Sequence, residues 1–301
     1  MAPFVLQVTR LGFEVYGRIA PKRAGRAAFN LFCRTPGRKP KTKSYAEKLA
    51  RAEARMRKAR RLDLTIDRGM FTSYLFEPDK PSGGTSLVVH GWGSRAADML
   101  AIVDALLDTC ERVVAIDLPG HGASPGRALN MVQAIAAVDA AWREYGPFNA
   151  MIGHSFGGAV VVNAAAGAVP CYPAHRPQKL ITIASPHSMI EVFDDFGKAV
   201  GLPPQVRNAM DDEVLRLACR PLAAFDTPQH LRQMGIPALA IHARDDKEVS
   251  AKSAEAKAAA GPHITLHWAD GLGHRRIIAS PEIAARVAQF VTGQGAMVEA
   301  A

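Results

Sequence analysis

The chain has 301 residues, 48% hydrophobic and 22% charged, the composition of an ordinary globular protein. No run approaches the roughly 18–20 uninterrupted apolar residues that span a bilayer. Its four cysteines (Cys33, Cys110, Cys171 and Cys219) show no C-x-x-C spacing, which argues against a disulfide scaffold or structural zinc and for a reducing compartment. The net charge of +9 is unevenly placed: residues 1–61 hold 17 Lys/Arg against 3 Asp/Glu, and the other 240 residues hold 20 against 25. The body is therefore mildly acidic, which argues against nucleic acid as its ligand.

The first elements are helical. Phe4, Val8, Leu11, Val15 and Ile19 recur at helical spacing and Pro21 interrupts the run, so residues 3–33 are predicted as one or two amphipathic helices. Gln7, Thr9, Arg10 and Glu14 break any secretory apolar core, whereas the Arg-rich, acid-poor start resembles a mitochondrial transit peptide. Residues 34–43 read as a Pro/Lys linker. Ser44, with Glu47 three residues on, has the form of a capping box opening another helix.

From residue 62 the period changes to two. Leu62, Leu64 and Ile66 alternate with polar residues, and 70–76 forms a second strand after a turn at Gly69. Further strands are predicted at 87–90, 113–117, 150–153, 180–184, 238–242 and 264–268, mostly separated by Ala-rich helical stretches. Such alternation predicts an α/β fold with a mainly parallel sheet covered on both faces. With the first two strands antiparallel, it is a mixed sheet of about eight strands. Residues 187–233 are too long for a loop. Their apolar residues, among them Phe193, Phe196, Val206 and Phe225, predict a helical cap over the sheet's C-terminal edge. The expected parts are a basic helical extension (1–61), an α/β core (62–186 and 234–292), a cap (187–233) and a flexible tail (293–301).

The strongest chemical signal is Gly153-His154-Ser155-Phe156-Gly157-Gly158, between an apolar strand and an Ala/Val-rich helix. G-x-S-x-G at a strand-to-helix turn is a nucleophile elbow, which lifts the serine hydroxyl above the sheet near a helix N-terminus. A serine hydroxyl needs a base. Asp245 and Asp246 follow strand 238–242, and His274 follows strand 264–268. Both strand ends would lie beside Ser155, so that His274 takes the serine proton and an Asp fixes its tautomer.

Four motifs together resemble the α/β-hydrolase superfamily over residues 87–290: His90-Gly91-Trp92-Gly93, Asp117-Leu118-Pro119-Gly120-His121-Gly122-Ala123-Ser124, the elbow, and the Asp246 and His274 endings. The combination of H-G-W, H-S-F-G-G and G-L-G-H-R-R with a basic extension is similar to a bacterial esterase-like subgroup. The resemblance implies the α/β-hydrolase fold and a Ser155/His274/Asp246 triad, with the Trp92 and Phe156 N–H groups as oxyanion donors. The family's acid motif, G-x-x-D-x-x-V-P, is matched with Ala243 for Gly and Ser250 for Pro. Its register favours Asp246 over Asp245, and Asp194 and Asp195 occupy the position some members use instead. His90 is expected to brace the oxyanion loop, and Asp117 and His121 to hold a turn. Trp92 is assigned to substrate binding, as is His154, which either shapes the elbow or lines the pocket.

The implied activity is hydrolysis of a small-molecule carboxylic ester through an acyl-enzyme. The alternatives are a thioesterase or acyltransferase on the same site, or a ligand-binding protein on a hydrolase scaffold. No cofactor is implied, and the histidines lack metal-ligand spacing. The expected location is cytoplasmic. Residues 1–61 either pack their apolar stripe on the body or attach to an anionic membrane surface.

Overall fold

The computed structural model describes residues 3–81, 83–109 and 111–293; Cys110 and the tail from 294 on lie outside them. Three helices come first, α1 (Pro3–Ile19), α2 (Pro21–Phe32) and α3 (Lys43–Met56). Pro21 stands at the first position of α2, where its missing N–H costs no hydrogen bond. α3 is capped by Thr42, whose side chain accepts from the Tyr45 N–H at 3.2 Å. Ser44, the expected cap, lies one residue inside the helix.

Eight strands follow: β1 (Arg60–Ile66), β2 (Gly69–Phe76), β3 (Thr85–Val89), β4 (Arg112–Asp117), β5 (Ala150–His154), β6 (Lys179–Ile183), β7 (Ala238–His242) and β8 (Ile264–Trp268). They form one sheet in the order β1-β2-β4-β3-β5-β6-β7-β8. β2 is antiparallel to both its neighbours and every other pair is parallel. β1 alternates between exposed and covered residues, as an edge strand with one wet face must. β3, β5 and β7 are buried along their whole length.

Side-chain alternation divides the core in two. Leu87, Val89, Val114, Ile116, Met151 and Leu180 belong to the cluster under α5 (Met131–Tyr145) and α6 (Phe156–Ala166), whereas α4 (Leu100–Leu107) and α12 (Pro281–Thr292) cover Val88, Ala115, Ile152, Ile181 and Ile183 on the opposite face. The order of strands reverses at β3, which lies between β4 and β5. The carboxyl ends of β3 and β5 therefore open onto the crevice where sites of such sheets form.

Between β6 and β7 run α7 (Met189–Val200), α8 (Pro204–Ala218) and α9 (Thr227–Met234); α10 (Lys252–Ala258) and the short α11 (Gly273–Arg276) flank β8. α2 lies against α8 through buried Ala24, Gly25 and Ala28. A Cβ on Gly25 would stand 2.5 Å from the Ala209 Cβ, so this contact requires glycine. The N-terminal helices and the 187–233 segment thus pack on each other, and α2 is part of the wall around the site below.

Candidate active site

Ser155 sits between β5 and α6 with φ 52° and ψ −122°, a positive-φ conformation rare for a residue with a side chain. Its N–H donates to the Ile183 carbonyl at 2.8 Å, which ties the turn to β6. The turn closes because its neighbours are glycines. A Cβ on Gly153 would lie 2.3 Å from the Gly157 carbonyl oxygen, and one on Gly157 2.4 Å from that of Val89. Residue 156 opens the helix, so its N–H has no partner within α6 and adds to the positive end of the helix dipole.

His274 reaches Ser155 from α11, its Nε2 3.0 Å from the Ser155 Oγ. Its other ring nitrogen donates to Asp246 Oδ2 at 2.8 Å. The Asp246 side chain is wholly buried, and its Oδ1 accepts from the backbone N–H groups of Glu248 (2.8 Å) and Val249 (2.9 Å). Burial alone would push the Asp246 carboxyl up; the hydrogen bonds from His274, Val249 and Glu248 outweigh it and hold the group below its ordinary value. The charged carboxylate therefore faces the Nδ1–H and leaves Nε2 free to accept.

The adjacent Asp245 points elsewhere, accepting from the Gly271 N–H at 2.8 Å. Asp194 pairs with Arg207 and Asp195 with Lys198, both within the α7–α8 region, and no hydrogen bond joins either to His274. Glu248, which the sequence reading passed over, stands at the mouth with Oε2 3.9 Å from His274 Nε2. Its carboxylate is held by Arg275 at 2.7 Å.

The other expected residues divide between support and wall. His90 is fully buried; its Nε2 accepts from the Leu118 N–H at 3.0 Å and its Nδ1–H donates to the Gly91 carbonyl at 2.7 Å. It so joins the loops after β3 and β4, and burial pushes its imidazole down to about 4. Asp117 accepts from the N–H groups of Ala96 and Ala123 and from the Tyr74 hydroxyl, which holds the turn after β4. His121 packs edge-on to the Trp92 ring at 5.4 Å. His154, expected either to shape the elbow or to line the pocket, is buried, with Nε2–H donating to the His274 carbonyl at 2.9 Å. Burial, then repulsion from His274, push its imidazole down to about 4, so it stays neutral and can hold the His274 backbone.

Trp92 and Phe156 meet edge to face at 5.5 Å, which brings the loop after β3 beside the elbow. Both line an apolar cavity that is partly open to solvent. Its walls come from α7 and α8 (Met189, Phe193, Val214, Leu217) and from α2 and its C-terminus (Phe29, Phe32, Cys33). Phe32 packs on Phe193 at 4.5 Å and on Phe196 at 5.2 Å. Burial raises the Cys33 thiol to about 12, so it acts as a small apolar residue there. The part played by α2 is absent from the sequence reading. Its one local signal is the pair Phe29 and Phe32, three apart at the end of a helix whose first turns are mostly small and basic residues. Among the described residues no group of three or more His, Cys, Asp or Glu is arranged to hold a metal ion.

No curated protein matches the chain in sequence. Solved structures share its fold at low identity. The esterase domain of a Rhodothermus marinus protein is 20% identical with a TM-score of 0.55, covering 78% of this chain and 97% of that one. A Pyrococcus furiosus esterase is 17% identical with a TM-score of 0.59, covering 86% and 98%. A proline iminopeptidase from Mycobacterium smegmatis is 18% identical with a TM-score of 0.57, covering 78% and 98%. Neighbours with such different named substrates share an architecture, not a specificity. The family model described as "Alpha/beta hydrolase family" matches residues 87–287, which contain the elbow, Asp246 and His274, and the chain belongs to that family.

Proposed function

We propose that the protein is a serine hydrolase that cleaves carboxylic esters with an apolar acyl group, through an acyl-enzyme. The observation that carries this reading is the relay Asp246–His274–Ser155, with contacts of 2.8 and 3.0 Å and a buried carboxylate at its far end. His274 Nε2 takes the Ser155 proton as Oγ attacks the ester carbonyl carbon. The charge that develops on the carbonyl oxygen is met by the backbone N–H groups of Trp92 and Phe156. Collapse of the tetrahedral species expels the alcohol, which leaves with the proton from His274. Water, deprotonated by the same nitrogen, then releases the acid and restores Ser155. The cavity beyond Trp92 and Phe156 would hold the acyl chain, and its aromatic walls favour hydrocarbon over polar groups. Under this reading residues 187–233 act as the cap, completed by α2.

The test is hydrolysis of p-nitrophenyl esters and acyl thioesters of graded chain length by wild type and Ser155→Ala. Turnover that falls by about 10⁴-fold or more in the variant supports the reading. Preference for thioesters would move the assignment to thioesterase chemistry on the same residues. Ligand binding without turnover in wild type would replace it with a binding role.

A further inference from the structure

α1 carries apolar side chains on two faces. One face, with Phe13 and Gly17, rests on the body; a Cβ on Gly17 would lie 2.5 Å from Val206 Cγ2. The other presents Phe4, Val8, Leu11, Val15 and Ile19 to solvent, with Phe4 73%, Leu11 63% and Ile19 77% exposed. Seven of the ten exposed large hydrophobic side chains among the described residues belong to this helix. A surface helix ordinarily turns polar residues outward, and a contiguous exposed apolar stripe marks a contact surface.

The charge beside the stripe identifies the contact. Past Ile19 the chain turns at Pro21 into Lys22, Arg23 and Arg26, all exposed. Arg18 is paired with Glu14 and Arg26 with Glu213, whereas Lys22 and Arg23 form no ion pair among the described residues. Glu14 is the single acidic residue in α1 and α2. We propose that α1 lies in the surface of an anionic lipid bilayer, its stripe among the acyl chains and the Lys22/Arg23 corner at the phosphates. A second copy of the chain pairing through the same two helices fits less well, because Glu14, their single acidic residue, is already bonded to Arg18 and leaves the cationic corner no partner. The remaining exposed large hydrophobics, Met70, Ile190 and Leu215, are scattered over β2, α7 and α8 and form no matching patch. The surface stands independently of the reaction proposed above. It lies close to the cavity all the same, since a single residue, Ala20, separates α1 from the helix that carries Phe29 and Phe32.

The test is flotation of the full chain with vesicles of phosphatidylcholine, with and without phosphatidylglycerol. The expected result is co-flotation with the anionic vesicles only, weakened by salt. Leu11→Asp/Val15→Asp and, separately, Lys22→Glu/Arg23→Glu should each lower partitioning by about tenfold or more. Unchanged thermal midpoints would show that both variants remain folded. The proposal is overturned if wild type floats with neither vesicle, if it floats equally with neutral ones, or if folded Leu11→Asp/Val15→Asp floats like wild type. It is equally overturned if wild type dimerises through the stripe and binds no vesicle, an outcome seen as a change in mass between wild type and that variant.

Discussion

Asp246→Asn tests the proposed relay at the point where geometry makes the sharpest demand. Asp246 accepts three hydrogen bonds, from Glu248 N–H, Val249 N–H and His274 Nδ1–H. Asparagine is nearly isosteric. Its carbonyl oxygen can keep the two loop contacts, which leaves its NH₂ facing Nδ1. That nitrogen must then accept, and the imidazole proton moves to Nε2, the atom 3.0 Å from Ser155 Oγ. A protonated Nε2 cannot take the serine proton. The same tautomer reversal in a serine protease lowers kcat by about 10⁴, or about 5.5 kcal/mol in the barrier. Because the loop bonds survive, the thermal midpoint should move little. The assay is kcat and kcat/KM for a p-nitrophenyl ester across pH, with Asp245→Asn in parallel. Asp245 bonds only the Gly271 N–H among these groups, so its variant should lose no more than a few-fold. A folded Asp246→Asn enzyme within tenfold of wild type, or an Asp245→Asn enzyme as damaged as its neighbour, would refute the assignment.

Other outcomes follow from the cavity, the elbow and one buried cation. Burial of a methylene is worth about 0.8 kcal/mol, so kcat/KM should rise roughly fourfold per added carbon until the cavity is full; Phe32→Ala should flatten that profile while leaving acetyl esters nearly unchanged, and an unchanged profile would remove α2 from the substrate wall. Gly157→Ala would press a Cβ onto the carbonyl oxygens of Val89 and His90 at 2.4 and 2.5 Å, and should abolish soluble expression or activity, as judged by yield and turnover. Lys257 is fully buried, bonded to the Ser185 and Ser253 carbonyls, and burial pushes its ammonium down to about 7. In the unfolded chain it titrates near about 10.4, so between the two values the unfolded state binds the extra proton and stability rises with pH. Chemical denaturation should show that rise across pH 7–10 in wild type, relative to Lys257→Met; parallel pH profiles would contradict it.

The strands were legible because each face of this sheet is buried or wet along a whole element. Leu62, Leu64 and Ile66 announce an edge by alternation, and the 87–90 and 238–242 runs announce a covered centre by the lack of it. The elbow was legible for a local reason too: only glycines permit the approach between residues 153 and 157. Asp245 and Asp246 could be ranked only through the family register, because adjacent residues in a turn point in different directions and composition does not say which inward. Thr42 and Ser44 are two hydroxyl residues two apart, and the cap belongs to the one whose backbone is still extended when the helix begins. His154 is harder still. Its role depends on the His274 carbonyl, 120 positions away in the chain, and no local pattern encodes that. The outward stripe of α1 was readable as a stripe but not as outward, since Phe13 and Gly17 offer a competing face whose partner, Val206, is equally remote.

The contact between α2 and α8 has a consequence for biosynthesis. Residues 21–32 leave the ribosome long before 204–218 exist, and of the rings that pack on Phe29 and Phe32 only Trp92 precedes Phe193 and Phe196. Contacts so distant in sequence are slow to form, because a large loop must close before they are rewarded. Throughout that interval the nascent chain displays both greasy sides of its leading hairpin, the condition under which chaperones engage and aggregation competes. The last wall of the cavity to be closed is therefore the first to be synthesised.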